Sequence, residues 1–150
     1  MSINLTGPTE LRLTRHFNAT PAQVWKAWTD PDAMRIWIHP GDGFTTPTVE
    51  WDLRIGGRYR IVMRAPTGEE FTTSGVFQVI EPPRKISYTW SWTSTPDRLA
   101  LVTVTLTPKD GGTDLHLVHA GLVDEVDRQN HEGGWSNSLL ALEGWLTRAQ

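Results

Sequence analysis

Along most of this chain apolar and polar residues alternate with a period of two, and near its end the period changes to that of a helix. Glu10 to Phe17 alternates as a first strand. Thr20-Pro21-Ala22-Gln23 then reads as a capping box, with Thr20 as N-cap, Pro21 at the first helical position and Gln23 reaching back. The short helix that follows carries Val24, Trp25 and Trp28. Asp30-Pro31 repeats the signal, so a second short helix is expected through Met34 to Trp37, ended by Pro40-Gly41-Asp42-Gly43.

The later strands can be set in register. The loop around Pro66-Thr67-Gly68 puts Met63 opposite Phe71, Ile61 opposite Thr73 and Tyr59 opposite Gly75. Glu81-Pro82-Pro83-Arg84 puts Val79 opposite Ile86, Phe77 opposite Tyr88 and Gly75 opposite Trp90, with the glycine leaving room for the indole. Across Gly111-Gly112, Leu106 meets Leu115, Val104 meets Leu117 and Val102 meets His119. All three registers turn the same set inward: Tyr59, Ile61, Met63, Phe71, Phe77, Val79, Ile86, Tyr88, Trp90, Trp92, Val102, Val104, Leu106, Leu115, Leu117 and His119. Arg58, Arg60, Arg64, Thr72, Ser74, Gln78, Ser87, Thr89, Ser91, Thr103, Thr105 and His116 fall on the other face, as in a sheet wetted on one side.

The last element starts at Asp124 as N-cap, and its apolar stripe is Trp135, Leu139, Leu142 and Leu146, flanked by Ser138, Trp145 and Ala149. That stripe must lie on the apolar face of the sheet. Gly133-Gly134 inside this helix costs about 2 kcal/mol relative to two alanines, which leaves close packing, a kink or a ligand-facing gap as its explanation. The expected fold class is α+β: a curved antiparallel sheet with two short helices after strand one, wrapped around a long C-terminal helix.

At 150 residues the chain is expected to form one domain, 1–150, with its core over about 10–148. It has no cysteine, which removes disulfides, thiolate nucleophiles and thiolate-bound metal clusters. Met1-Ser2-Ile3-Asn4-Leu5-Thr6 has neither the basic start nor the apolar run of a signal peptide, so a soluble, cytoplasmic protein without a membrane span is expected. Fourteen basic against seventeen acidic side chains give a net charge of −3, which argues against nucleic acid as a partner. Eight tryptophans bring large rigid rings, either as core or as ligand contacts.

With these elements in place, several short motifs in order resemble one family. They are Phe17-Asn18-Ala19-Thr20-Pro21 followed by Val24-Trp25-Lys26-Ala27-Trp28-Thr29-Asp30-Pro31; Asp52-Leu53-Arg54-Ile55-Gly56-Gly57; Gly75-Val76-Phe77; Pro82-Pro83 leading to Tyr88-Thr89-Trp90; and His131 through Trp135. Over roughly residues 10 to 148 the chain resembles the Hsp90 ATPase activator homologue 1-like family of the START-like, or SRPBCC, superfamily. The resemblance implies a helix-grip fold with a hydrophobic cavity between sheet and terminal helix. Relatives use that cavity for lipid-like or aromatic ligands or for polyketide chemistry, and the eukaryotic co-chaperone contacts Hsp90. Trp37-Ile38-His39-Pro40 departs from the Trp-Trp-Gly-Pro stretch common in the family, which bears on the pocket mouth.

Candidate chemistry is sparse. His119 points into the apolar face, where desolvation favours neutral imidazole and leaves three roles open: a hydrogen-bonded core histidine, a group that orients a ligand carbonyl, or a base. His116, three residues away on the same strand, points to the other face, so the two cannot chelate one metal. Asp52 and Arg54 read as an ion-paired strand end with Gly56-Gly57 turning into the next strand, and no phosphate-binding helix N-terminus follows. Asp124, Glu125 and Asp127 suit the first turn of a helix. His39 is a candidate for the pocket entrance, whereas His131 is expected to cap or pack locally. No metal and no cofactor are expected.

Three functions follow. The first is a binding module for a small hydrophobic or aromatic molecule, in a cavity lined by Trp37, Tyr59, Ile61, Met63, Phe77, Tyr88, Trp90, His119, Trp135 and Leu139. The second is a cyclase or hydrolase with His119 and Tyr88 as base and acid. The third is an interaction domain for an Hsp90-type chaperone, which requires an exposed apolar or charged patch. Either a monomer or a homodimer fits.

Overall fold

The structure, a computed structural model, describes residues 3–148. In chain order its elements are β1 (Thr9–Phe17), α1 (Pro21–Thr29), α2 (Pro31–Trp37), β2 (Thr45–Trp51), β3 (Arg58–Arg64), β4 (Glu70–Glu81), β5 (Lys85–Trp92), β6 (Ala100–Lys109), β7 (Gly112–Leu122) and α3 (Glu125–Arg148). The seven strands form one antiparallel sheet in the order β1-β7-β6-β5-β4-β3-β2. The expected α+β helix-grip architecture is therefore present, with α3 packed along the inner face.

Local signals fix the entries of all three helices. The Thr20 side chain accepts from the Gln23 N–H at 3.1 Å while the Thr20 N–H donates to Gln23 Oε1 at 2.7 Å, completing the capping box. Asp30 accepts from the Asp32 N–H at 3.0 Å, and Asp124 from the Asp127 N–H at 2.9 Å. The strand-length β2 stretch was legible only from its Asp52–Arg54 end, because Pro47 and consecutive threonines hide the alternation. Asp52 and Arg54 form an exposed ion pair at 2.9 Å, as the strand-end reading requires.

The registers across β3–β4 and β6–β7 are those the alternation predicts. Across β4–β5 one pairing differs. Phe77 faces Tyr88, but a shift between Phe77 and Val79 places Val79 opposite Ser87 and Ile80 opposite Ile86. The extra residue exchanges the two faces beyond it, so Ile80 rather than Val79 packs against the core. Gly75 also has a different reason from the one expected. A Cβ there would sit 1.9 Å from the Thr89 carbonyl oxygen, so the glycine admits the neighbouring backbone and not the Trp90 ring. Nearby, the Val76 N–H donates to the Thr89 hydroxyl at 2.9 Å.

Along α3 the buried residues are Trp135, Ser138, Leu139, Leu142 and Leu146, with Trp145 partly buried against the same core. Ala149, expected to flank this stripe, lies outside the described residues. The helix continues through Gly133-Gly134. Nothing lies within 4 Å of a Cβ placed at Gly133, and one at Gly134 would make ordinary contact with Pro40 at 3.5 Å. Neither position needs glycine for room. No described helix is long and apolar enough to cross a membrane.

Candidate functional site

The space between sheet and α3 is divided in two. In one half, Trp28, Trp37, Trp51, Tyr59, Phe77 and Tyr88 fill it with rings. Trp28 and Trp37 lie 4.7 Å apart, Trp51 and Phe77 4.8 Å, and Tyr59 and Tyr88 5.1 Å between centroids. Their polar tips are mostly spent inside the protein. Trp28 Nε1–H donates to the Tyr88 hydroxyl at 3.2 Å, Trp37 Nε1–H donates to the Ala27 carbonyl at 2.9 Å, and the Tyr59 hydroxyl donates to the Thr89 carbonyl. Burial raises the Tyr59 and Tyr88 pKa values well above the ordinary phenol, so both stay neutral.

The other half opens as a cleft of about 340 Å³. Its apolar walls are Met63 and Phe71 from the β3–β4 hairpin, Trp90 and Trp92 from β5, Trp135 from α3, and Ile38 and Pro40 from the segment after α2. Its polar rim is Ser94, Thr95, Arg98, Asp127, Asn130, His131 and Ser138. Phe71 lies on the predicted inward face yet is 38% exposed, because it borders this opening. The mouth is fixed to the helix by two side chains of α3. Asn137 donates to the Pro40 carbonyl and Ser138 to the His39 carbonyl, each at 2.7 Å.

Two indole-to-imidazole hydrogen bonds tie α3 to the sheet beside the cleft. Trp135 Nε1–H donates to His119 Nδ1 at 2.9 Å, and Trp92 Nε1–H donates to His131 Nε2 at 3.0 Å. These bonds assign the tautomers: His119 carries its proton on Nε2, and His131 on Nδ1, from which it donates to the Asp127 carbonyl at 2.8 Å. His119 is fully buried, and desolvation, with His131 4.7 Å away between ring centroids, holds its pKa well below the ordinary 6.5. It is a neutral imidazole at neutral pH.

Of the ten residues expected to line a cavity, Met63, Trp90 and Trp135 line the cleft. Trp37, Tyr59, Ile61, Phe77, Tyr88 and Leu139 are core residues, and His119 stands directly behind the cleft wall, its ring against those of Trp90, His131 and Trp135. Neither His119 nor Tyr88, considered as base and acid, lies on the cleft surface, and each is held by a different tryptophan. His131, expected only to cap or pack locally, stands in the cleft wall; His39 turns its Nδ1 to the Gly41 carbonyl at 3.1 Å while its neighbours Ile38 and Pro40 line the cleft. Trp92 and Phe71 were recoverable from strand alternation. The rim from Ser94 to Arg98 and from Asp127 to Asn130 was not, since loops and a first helical turn carry no period that points at a partner.

No group of three or more metal-ligating side chains occurs among the described residues. Elsewhere on α3, Arg128 bonds both Glu125 and Glu132, and its hydrogen bonds draw the Glu125 pKa down to about 2. These charges brace the exposed side of the helix.

A family model described as Activator of Hsp90 ATPase homolog 1-like protein matches residues 18–147. Among solved structures, a protein from Chromobacterium violaceum is 32% identical, superposes with a TM-score of 0.83, and the match covers 92% of this chain and 97% of that one. The AHSA1 protein from Silicibacter pomeroyi is 27% identical with a TM-score of 0.84, covering 95% of this chain and 100% of that one. A Rhodobacter sphaeroides protein is 25% identical with a TM-score of 0.83 and 99% coverage of both chains. No curated protein matches the sequence significantly.

Proposed function

Because the chain belongs to the Activator of Hsp90 ATPase homolog 1-like family, whose helix-grip fold supports ligand binding in general, we propose that its cleft binds a small apolar or aromatic molecule. The supporting observation is the cleft of about 340 Å³ walled by Trp90, Trp92 and Trp135, with Met63 and Phe71 opposite. Flat aromatic surface gains most here, since the walls are rigid rings that lose little side-chain entropy on contact. The polar rim leaves one edge of a bound molecule in water. Thermal unfolding and tryptophan fluorescence, measured across a panel of flat aromatics and fatty acids, test this reading. A ligand at a hundred times its Kd raises stability by about 2.7 kcal/mol. Absence of any saturable change across the panel overturns it.

A second reading, contact with an Hsp90-type chaperone, draws on the family and on an exposed apolar loop between β2 and β3. Ile55 there is 60% exposed and Leu53 37%. Co-sedimentation with purified Hsp90, lost on Ile55→Asp, is its test. Wild-type protein that stays unbound contradicts it.

A further inference from the structure

The polar rim of the cleft divides into side chains that are engaged and side chains that are not. On the α3 side, Asp127 Oδ2 accepts from the Val123 N–H at 3.1 Å, and its other oxygen lies 3.2 Å from His131 Nδ1. His131 is held by Trp92 and the Asp127 carbonyl, and Ser138 by the His39 carbonyl. Ser94, Thr95, Arg98 and Asn130 line the same cleft, and their side chains make no hydrogen bond or ion pair among the described residues. Ser94, Thr95 and Arg98 sit on the β5–β6 loop, whose backbone is pinned. The Thr95 N–H donates to the Trp92 carbonyl, the Arg98 N–H to the Thr95 carbonyl, and Thr6 exchanges two hydrogen bonds with Leu99. The loop is thus fixed while the side chains it presents to the cleft are free. Trp90 Nε1 and His119 Nε2, which have no acceptor among the described residues, are buried beneath the cleft surface and take no part in this rim.

Among the described residues Arg98 is the only lysine or arginine on the cleft. Arginines elsewhere, such as Arg60 and Arg64, pair with a neighbouring glutamate at 2.9 and 2.7 Å. The charge left unanswered on the rim is therefore positive, because the Asp127 carboxylate already accepts hydrogen bonds within the protein. A guanidinium offers a planar fork of donors that matches a carboxylate, and its long stem lets it follow that group. One cation suits a monoanion, whereas a phosphate dianion would keep a surplus charge beside Asp127. The exposed rim leaves such a carboxylate partly in water, so it escapes the penalty of full burial. Resting on the cleft reading above, we propose that the ligand is an aromatic carboxylic acid, bound as its anion. Its rings lie against Trp90, Trp92 and Trp135, and its carboxylate pairs with Arg98, with the Ser94 and Thr95 hydroxyls as further donors. The whole chain carries a net charge of −3, so a preference for an anion has to come from this rim.

Four probes of one skeleton separate the possibilities: fluorene, fluorenecarboxylate, fluorenecarboxamide and fluorenylmethylammonium, each titrated calorimetrically into the whole protein at low ionic strength. The carboxylate is expected to bind about fivefold more tightly than the carboxamide of the same shape, as one exposed ion pair allows. That gap should narrow as salt is added. Arg98→Gln should bring the carboxylate down to the affinity of the carboxamide, and Arg98→Lys should keep part of the preference. Arg58→Gln, which removes an exposed arginine outside the cleft, should keep all of it. Affinity for the carboxylate no higher than for the carboxamide, tighter binding of the ammonium, or a preference that survives Arg98→Gln overturns the assignment, while binding of fluorene leaves the cleft reading standing. Failure of every probe to bind overturns both.

Discussion

The two halves of the space under α3 are built from the same material and end in opposite states. The half around Trp28, Trp37, Trp51, Tyr59, Phe77 and Tyr88 is closed by its own rings, and the Trp28, Trp37 and Tyr59 donors find a carbonyl or hydroxyl while Trp51 Nε1 has no acceptor among the described residues. The half around Trp90, Trp92 and Trp135 is just as aromatic, yet it keeps an open cleft and two donors without acceptors. Aromatic content therefore does not separate core from site. What separates them is whether neighbouring elements press in. The α1–α2 pair seals the first half with Trp28 and Trp37, whereas only the short Ile38–Pro40 segment reaches the second.

Truncating a ring on each side is the strongest way to break this contrast. Tyr88→Ala in the filled half should cost about 3–5 kcal/mol in urea unfolding, as for other large buried aromatics. Trp92→Ala on the partly exposed side should cost clearly less, and equal losses would mean that both halves are core. Tyr88→Phe sharpens the point: it keeps the ring, strands the Trp28 N–H, and should cost about 1–3 kcal/mol.

Acidification probes the wall between the halves. His119 has a folded pKa held well below 6.5, so below pH 6.5 the unfolded chain takes up a proton that the folded protein refuses. Stability is thus complete above pH 6.5 and falls as pH drops toward the folded value, by up to about 1.4 kcal/mol per pH unit. Denaturant unfolding between pH 7 and 5 should show that slope, and His119→Gln should flatten it. An unchanged slope in the variant would place the effect elsewhere.

The smallest effect concerns α3. Gly133→Ala adds a methyl group where no atom lies within 4 Å and should stabilise by about 0.5–1 kcal/mol, read as a higher Tm. Loss of stability there would mean that the helix needs the glycine for a bend.

Strand periodicity carried most of the fold because a one-residue slip exposes a whole face, and Tyr59, Ile61, Val102, Val104, Leu115 and Leu117 are all buried as that argument requires. It failed at Val79, where a bulge exchanges the faces, and such an insertion leaves no mark in an alternating pattern. Inwardness was legible; accessibility was not. Trp37 and Trp90 both point inward, and only the long-range approach of α1, α2 and α3 decides that one is core and the other borders the cleft. His131 shows the same gap from the other side. Its place in the helix was readable, but its bond to Trp92 joins residues 39 apart in sequence.

The most direct measurement follows the indole N–H resonances of the tryptophans while fluorene is added. The account predicts saturable shifts of Trp90, Trp92 and Trp135, with Trp28, Trp37 and Trp51 unmoved. Shifts at Trp28 or Trp37, or no shift at any tryptophan, would contradict the division into a filled half and an open one.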